Sequence, residues 1–546
     1  MVPVRRIICT LLLLTSAGLI AGGSWAAHHW PFRQDRHLFE LMGQCLLDGG
    51  RIYLDCWDNK PPLVPWINAV VLGLCRDSTQ AITAAAGLAA ATAVAAVALG
   101  TWRWHGPIVG CLTALMASGT FSLRYYDGCT NGTELYGAMF ESLAATAFLL
   151  PWRRGRAPSV AVALTAGACF GAAFGCKQNL LAGPLSALGM MAAAGCLNRG
   201  LRGACLRSSA ALICGFVAVV GAIAGVLFLQ GVLADAVFAI CGVNRLFAQA
   251  GLCWWNPWTA GVGGVLLEQT RPLRPLVLTA ALGLAAGLVE RRGLEPRGDR
   301  PAPLPALLVG MLGLWMVLAL WEVLPGGCHL TRYWHAVFVP LLWLAAQTLH
   351  YLAGGLAAGP AAQRLVLASA AIAGAVGLWT PVALRQKSDL WQAQYHRTED
   401  CERARLRELA AAVAARTSPG ERIYVWGYEP GIYRFAHRRA PGRFAELGKV
   451  PFLEARAQFM VDEVLGALTG SPPRLILVQE EYQRVLEAGR YGPVDISGLR
   501  TLLAGAYRGP VLTMHGFSFY ERAVETTAPA TATGPLARDR DRRSSG

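Results

Sequence analysis

Apolar runs of membrane-spanning character recur through the first two thirds of the chain, separated by short polar stretches. The first, within residues 1–27, follows Arg5 and Arg6 and reads either as a cleaved signal peptide or as a first transmembrane helix. Further runs fall at about 63–76, 81–100, 106–124, 133–151, 158–176, 178–197, 209–230, 275–290, 304–323, 332–350 and 364–383. Arginine concentrates on cytoplasmic flanks, so Arg5 and Arg6 place the N-terminus in the cytoplasm. The clusters Arg153/Arg154/Arg156, Arg199/Arg202/Arg207 and Arg291/Arg292/Arg297 mark cytoplasmic loops by the same rule. Residues 35–62, 125–133, the turn at 177, 231–274, 324–331 and everything after 384 then face the exoplasmic side. Three apolar runs separate the first two of these loops, an odd number for loops on one face. One of the three is therefore re-entrant, interfacial or fused with its neighbour, and about eleven spans are expected. Trp254, Trp255 and Trp258, within 231–274, suit the headgroup level and predict an interfacial helix and loop.

After Pro381 the pattern changes. The stretches 422–427 (RIYVWG), 474–479 (RLILVQ) and 511–522 (VLTMHGFSFYER) read as three strands, and helical patterns occupy 396–415, 451–468 and 482–505. The predicted organisation is mainly α: a polytopic transmembrane domain over 1–385, a small exoplasmic α/β domain over 386–523, and a low-complexity, disordered tail over 524–546.

Composition agrees with the membrane class, with 54% hydrophobic and only 15% charged residues. The net charge of +15 does not point to nucleic acid, because the basic residues sit in short clusters between apolar runs and form no phosphate track. The 15 cysteines are scattered, many within apolar runs, and no spacing suggests a structural zinc site. Cys45 with Cys56, or Cys253 with Cys328, can pair if they face an oxidising space; unpaired thiols are an equal reading.

Charge is scarce in the membrane half, yet residues 35–62 hold Asp35, Glu40, Asp48, Asp55, Asp58 and Lys60 among Tyr53, Trp57 and the stop Pro61-Pro62. Such a block costs several kcal/mol per charge inside lipid, so it faces water or a polar cavity and reads as an active-site loop. A second acidic loop, 124–134, carries Asp127, Asn131 and Glu134. The simple reading of Glu134 is a first-turn carboxylate favoured by the helix dipole, with Asn131 and Thr133 as caps. Two acidic loops on one face also supply what group transfer to a hydroxyl needs, a general base and carboxylates that orient the reactants. Of only four lysines, Lys60 and Lys177 fall at exoplasmic helix ends, where Arg332 also begins a span. Three cations at one level suit a phosphate headgroup; snorkelling to bulk lipid is the plainer alternative.

Asp35 after a first span, Tyr53 with WDNKPP (57–62), NGTE (131–134), CKQN (176–179) and TRYWHAVFVP (331–340) together resemble GT-C superfamily glycosyltransferases of the protein-mannosyltransferase and lipid A aminoarabinose-transferase type. VWGYEPGIYRFAHRRAPGRF (425–444) resembles the exoplasmic domain of bacterial members. The resemblance implies a retained first helix and a multi-span enzyme that moves a sugar from a polyprenyl-phosphate-linked donor to an exoplasmic lipid, polysaccharide or protein acceptor. By position it implies Asp35 as base or acceptor-orienting group and Glu134, or Asp127, as the acidic position of the second loop; Asp55 and Asp58 can share the acidic work. Lys60, Lys177, Arg332 and Tyr333 fall to the donor phosphate, and Tyr53, Trp57, Asp58 and Asn131 to sugar or acceptor binding. Arg36, not a second acidic residue, follows Asp35, which departs from a paired acidic motif and leaves open whether a divalent cation (Mg²⁺ or Mn²⁺) takes part. His329 and His335 flank Arg332 and read as interfacial residues. Trp426, Tyr428, Glu429 and Tyr433 read either as packing residues or as an acceptor surface. The alanine-rich, arginine-for-lysine composition suits a GC-rich bacterial genome, hence an inner-membrane protein using undecaprenyl phosphate. A polytopic transporter or lipid flippase is the rival reading, although transporters place ionisable residues near the bilayer midplane.

Overall fold

The computed structural model describes residues 2–29, 34–75, 78–247, 249, 270–293, 304–323, 331–358, 385, 387–392, 394, 402–448 and 450–523. The expected interfacial tryptophans, the run at 364–383, His329, Cys253, Cys328 and the tail 524–546 lie outside the described residues.

The chain is mainly helical. Its first nine long elements are α1 (Val2–His29), α2 (Gln34–Leu47), α3 (Leu63–Leu74), α4 (Thr79–His105), α5 (Pro107–Phe121), α6 (Thr133–Leu149), α7 (Val160–Cys176), α8 (Ala182–Leu197) and α9 (Arg202–Leu229). Helices Arg274–Gly293, Leu304–Val323 and His335–Ala358 follow. Local chemistry sets several boundaries. Ser78 accepts a hydrogen bond from Ala81 N–H at the start of α4, and α5 opens with Pro107, whose ring suits a first helical position.

Among the described residues, Arg6–His29, Thr79–His105, Arg199–Leu229 and Ala306–Val323 are long and apolar enough to cross a membrane, and α3, α5, α7 and α8 are shorter apolar helices. The described residues thus hold fewer full-length candidates than the eleven spans expected. Of the three runs that gave an odd count, α3 has 12 residues, about 18 Å of helix against a hydrocarbon core of about 30 Å. It is the one least able to cross.

In the C-terminal part, β1 (Ile423–Trp426), β2 (Leu475–Gln479), β5 (Tyr507–Met514) and β6 (Phe517–Arg522) form a mixed sheet in the order β1-β2-β6-β5; β3 (Arg490–Tyr491) and β4 (Val494–Asp495) make a separate small hairpin. β1 and β2 are parallel, with Ile423 opposite Leu475, while β6 runs antiparallel to both neighbours. The stretch read as one strand at 511–522 is a hairpin. His515 (φ 50°) and Gly516 (φ 76°) both adopt the left-handed region, the geometry of a two-residue turn whose twist matches the strands it joins. Side chains alternate across β1: Ile423 and Val425 pack with Leu406, Leu409 and Val413 of the helix Glu402–Ala414, while Tyr424 and Trp426 join the core that continues into the membrane half.

The segment 35–62, read as a loop from the sequence, begins as helix α2 and continues as a loop only after Leu47; the sheet unit sits on both. Trp57 packs edge-on against Phe444 with ring centroids 4.8 Å apart. Arg443 donates to Tyr53 O (3.2 Å) and to Asp235 Oδ1 (2.9 Å). His37 packs against Phe435. Because Trp57 is buried, Trp57→Ala is expected to lower stability by about 3–5 kcal/mol. Thermal unfolding of the detergent-purified protein checks this; a variant melting with the wild type would show that the contact does not hold the two parts together.

Candidate active site

Asp35 stands in the first turn of α2 and Glu134 in the first turn of α6. Lys60 is held at the end of the loop by its own backbone, since Tyr53 hydroxyl donates to Lys60 O at 2.7 Å. Tyr53 is fully buried at φ 73°, and its N–H donates to Cys56 O. It therefore acts as a strut that shapes the loop. Lys177 ends α7, and Arg332 lies in the short turn Thr331–Trp334 before the helix His335–Ala358.

These elements bring the candidate cations and two carboxylates into one buried network. Arg332 Nη2 lies 2.6 Å from Asp35 Oδ2, and Arg332 Nε 3.7 Å from Glu134 Oε1. Lys60 Nζ is 3.6 Å from Asp35 Oδ2 and 3.3 Å from Asp58 Oδ2. Lys177 Nζ contacts Glu134 Oε1 at 2.8 Å and sits 3.3 Å from the centre of the Tyr333 ring. Burial alone lowers the Lys60 ammonium, but Asp58 and Asp35 outweigh it and hold the group above its usual range. Burial opposes the charge of Arg332 too, and Asp35 and Glu134 more than restore it. Both groups remain cations inside the protein.

The carboxylates also border a cavity of about 170 Å³, lined among others by Asp35, Asp127, Asn131, Glu134, Arg332 and His335. Asn131 does not cap α6, contrary to the simple reading of its position. Gly132 takes the cap position without a side-chain bond, and Thr133 hydroxyl donates to Glu134 Oε2. The Asn131 amide is buried with neither its nitrogen nor its oxygen hydrogen-bonded. A buried amide in that state costs free energy unless water or a ligand in the cavity satisfies it. His335 donates through Nδ1–H to Arg332 O (2.8 Å), which leaves Nε2 buried as an acceptor without a partner. Its place on the cavity wall was not legible from its position after Arg332.

Other sequence candidates lie apart. Asp55 is half-exposed and accepts from Arg51 N–H (2.8 Å), so it shapes a turn on the loop's outer side and does not reach the network. Trp57 is engaged with Phe444, and Asp58 is fully buried on Lys60. Tyr53, Trp57 and Asp58 thus support the site from behind and do not line the cavity. Arg36, in place of a second acid, also lines the cavity and donates to Glu40 Oε1 (3.3 Å) and Ala27 O (3.0 Å). Cys45 and Cys56 are free thiols. Among the described residues no group of three or more His, Cys, Asp or Glu side chains converges to hold a metal ion.

Residues 59–239 match the family described as dolichyl-phosphate-mannose-protein mannosyltransferase, which agrees with the resemblance read from the motifs. Among individual structures, the fold is similar to ArnT from Cupriavidus metallidurans bound to undecaprenyl phosphate, with a TM-score of 0.59 and 14% identity over 96% of this chain and 99% of that one. It is similar also to the archaeal oligosaccharyltransferase AglB from Archaeoglobus fulgidus, in complex with an inhibitory peptide and a dolichol-phosphate, with a TM-score of 0.55 and 13% identity over 96% of this chain and 75% of that one. No curated protein matches the chain by sequence.

Breaking a buried ion pair leaves an uncompensated charge. Glu134→Gln is therefore expected to destabilise the protein by about 3–5 kcal/mol through Lys177 and Arg332. The double variant Glu134→Gln/Lys177→Met should recover part of that loss in thermal unfolding, whereas strictly additive losses would show that the two side chains do not depend on each other.

Proposed function

We propose that the protein is an integral membrane glycosyltransferase that moves a sugar from a polyprenyl-phosphate-linked donor to an exoplasmic hydroxyl acceptor. The observation that carries this reading is the buried network of Lys60, Lys177 and Arg332 with Asp35 and Glu134 beside a polar cavity. Two ammoniums and a guanidinium offer more N–H donors than these carboxylate contacts consume, and the surplus suits phosphate oxygens. The lipid phosphates named with ArnT and AglB support the same class of ligand.

In this reading the donor phosphate rests on Lys60, Lys177 and Arg332, with Tyr333 packed beneath Lys177. The acceptor hydroxyl donates to Asp35. The bond from sugar C1 to the phosphate oxygen breaks as the acceptor oxygen bonds to C1 from the opposite face, and the acceptor proton passes to Asp35. The cations stabilise the charge that develops on the departing polyprenyl phosphate. Glu134 keeps Lys177 and Arg332 in place, Asp127 borders the cavity, and Asn131 offers its amide to the sugar or acceptor.

The organisation that goes with this chemistry is a transmembrane catalytic unit over 1–385 and an exoplasmic α/β unit over 386–523, in a bacterial inner membrane with the N-terminus cytoplasmic. With α3 lying short of a full crossing, α4 and α5 form a crossing pair, and the loops that carry Asp35 and Glu134 share the exoplasmic face.

The test is transfer of radiolabelled sugar from polyprenyl-phosphate donors in membranes carrying equal amounts of wild type, Asp35→Asn or Asp55→Asn. Asp35→Asn is expected to lose roughly 10²–10⁴-fold in rate, the span of general-base catalysis. Asp55→Asn should stay near wild type. Equal transfer by wild type and Asp35→Asn would remove Asp35 from the chemistry.

A further inference from the structure

Tyr428 enters the site from the loop after β1, and its hydroxyl donates to Asp35 Oδ1. The other oxygen of that carboxylate, Oδ2, is the one engaged by Arg332 and Lys60. The two cations thus fix the orientation of Asp35, and Oδ1 is the oxygen presented to an O–H donor. A phenol and an acceptor alcohol make the same kind of hydrogen bond to a carboxylate oxygen, so they compete for one place.

The surroundings hold the phenol there. Tyr428 N–H donates to Gln479 Oε1 (3.0 Å) at the end of β2, which seats the loop at the carboxyl ends of the parallel pair. The ring lies close against Gly448, where a Cβ would stand 2.6 Å from Tyr428 Cγ. Burial, followed by the nearby Asp35 charge, raises the phenol well above its ordinary range, so it stays a protonated donor.

We propose that Tyr428 guards the acceptor position: it occupies the Asp35 oxygen that the acceptor hydroxyl uses, denies that oxygen to water while the donor is bound, and yields it to the acceptor. This rests on Asp35 acting as the base. Water is the simplest competing acceptor. If water donates to Oδ1, the bond from C1 to the phosphate oxygen breaks, a C1–OH bond forms, the proton passes to Asp35, and free sugar and polyprenyl phosphate depart. A bulky acceptor brings binding contacts that displace the phenol, whereas a single water does not, so the guard discriminates between them.

The experiment uses the full-length protein in membranes and measures donor hydrolysis and transfer in parallel for wild type, Tyr428→Phe, Gly448→Ala and Asp35→Asn. Tyr428→Phe keeps the ring and removes the hydroxyl; the rate of hydrolysis itself, and with it the ratio of hydrolysis to transfer, is expected to rise about tenfold, the weight of one hydrogen bond to a charged group, with a lower acceptor KM. Gly448→Ala, whose Cβ would stand 2.6 Å from Tyr428 Cγ and so shifts the ring from its place, should move the ratio in the same direction. A fall in transfer with hydrolysis still at the wild-type level would overturn the guard and leave Tyr428 as a packing residue. If Asp35→Asn removes transfer and hydrolysis while Tyr428→Phe leaves their ratio unchanged, the guard fails and the base survives. If Asp35→Asn leaves both reactions intact, the base assignment and the guard fail together.

Discussion

Arg332 spans the two carboxylates of the site, with Nη2 on Asp35 and Nε facing Glu134, and the rest of the arrangement depends on that bridge. Buried charges are tolerated only when each has a partner, because desolvation of an isolated ion costs several kcal/mol. Asp35 begins α2, Glu134 begins α6, Lys177 ends α7 and Arg332 precedes the helix His335–Ala358. Four helix ends are therefore drawn to one level by mutual charge compensation. In the proposed function the same network suits a charged ligand, since a phosphate would enter a place where cations are already held and oriented.

The sheet unit is tied to this centre. Trp57 against Phe444 and Arg443 on Tyr53 O fasten it to the loop whose other end presents Lys60. Tyr428 then reaches Asp35 from a position 393 residues away in sequence. Packing and chemistry use the same segment: Tyr53 and Trp57 are buried in it, while Lys60 at its end pairs with Asp35 and Asp58.

Much of this was legible in the sequence. Scarcity of charge in the membrane half made Asp35, Lys60, Glu134, Lys177 and Arg332 conspicuous, and all five meet. The strands β1 and β2 followed from their buried, β-branched and aromatic runs. What escaped depended on tertiary contacts. Asp55 looked equivalent to Asp35 in a one-dimensional list of acids, but its backbone turn directs it to Arg51 and the surface. Asn131 looked like a helix cap, yet its amide is left over for the cavity. The hairpin within 511–522 was hidden because His515 is not a residue that advertises a left-handed turn; Gly516 beside it was the available signal.

The most direct measurement of the central claim, that the cations hold a phosphate-linked lipid, is thermal stabilisation of the purified protein by undecaprenyl phosphate against undecaprenol, in wild type and Lys60→Met. Saturating ligand at about 100 times its Kd stabilises the folded state by about 2.7 kcal/mol. The account predicts such a rise for wild type with the phosphate, little with the neutral alcohol, and a clear loss of the phosphate effect in Lys60→Met. Equal stabilisation by both lipids, or a phosphate effect unchanged in the variant, would contradict it.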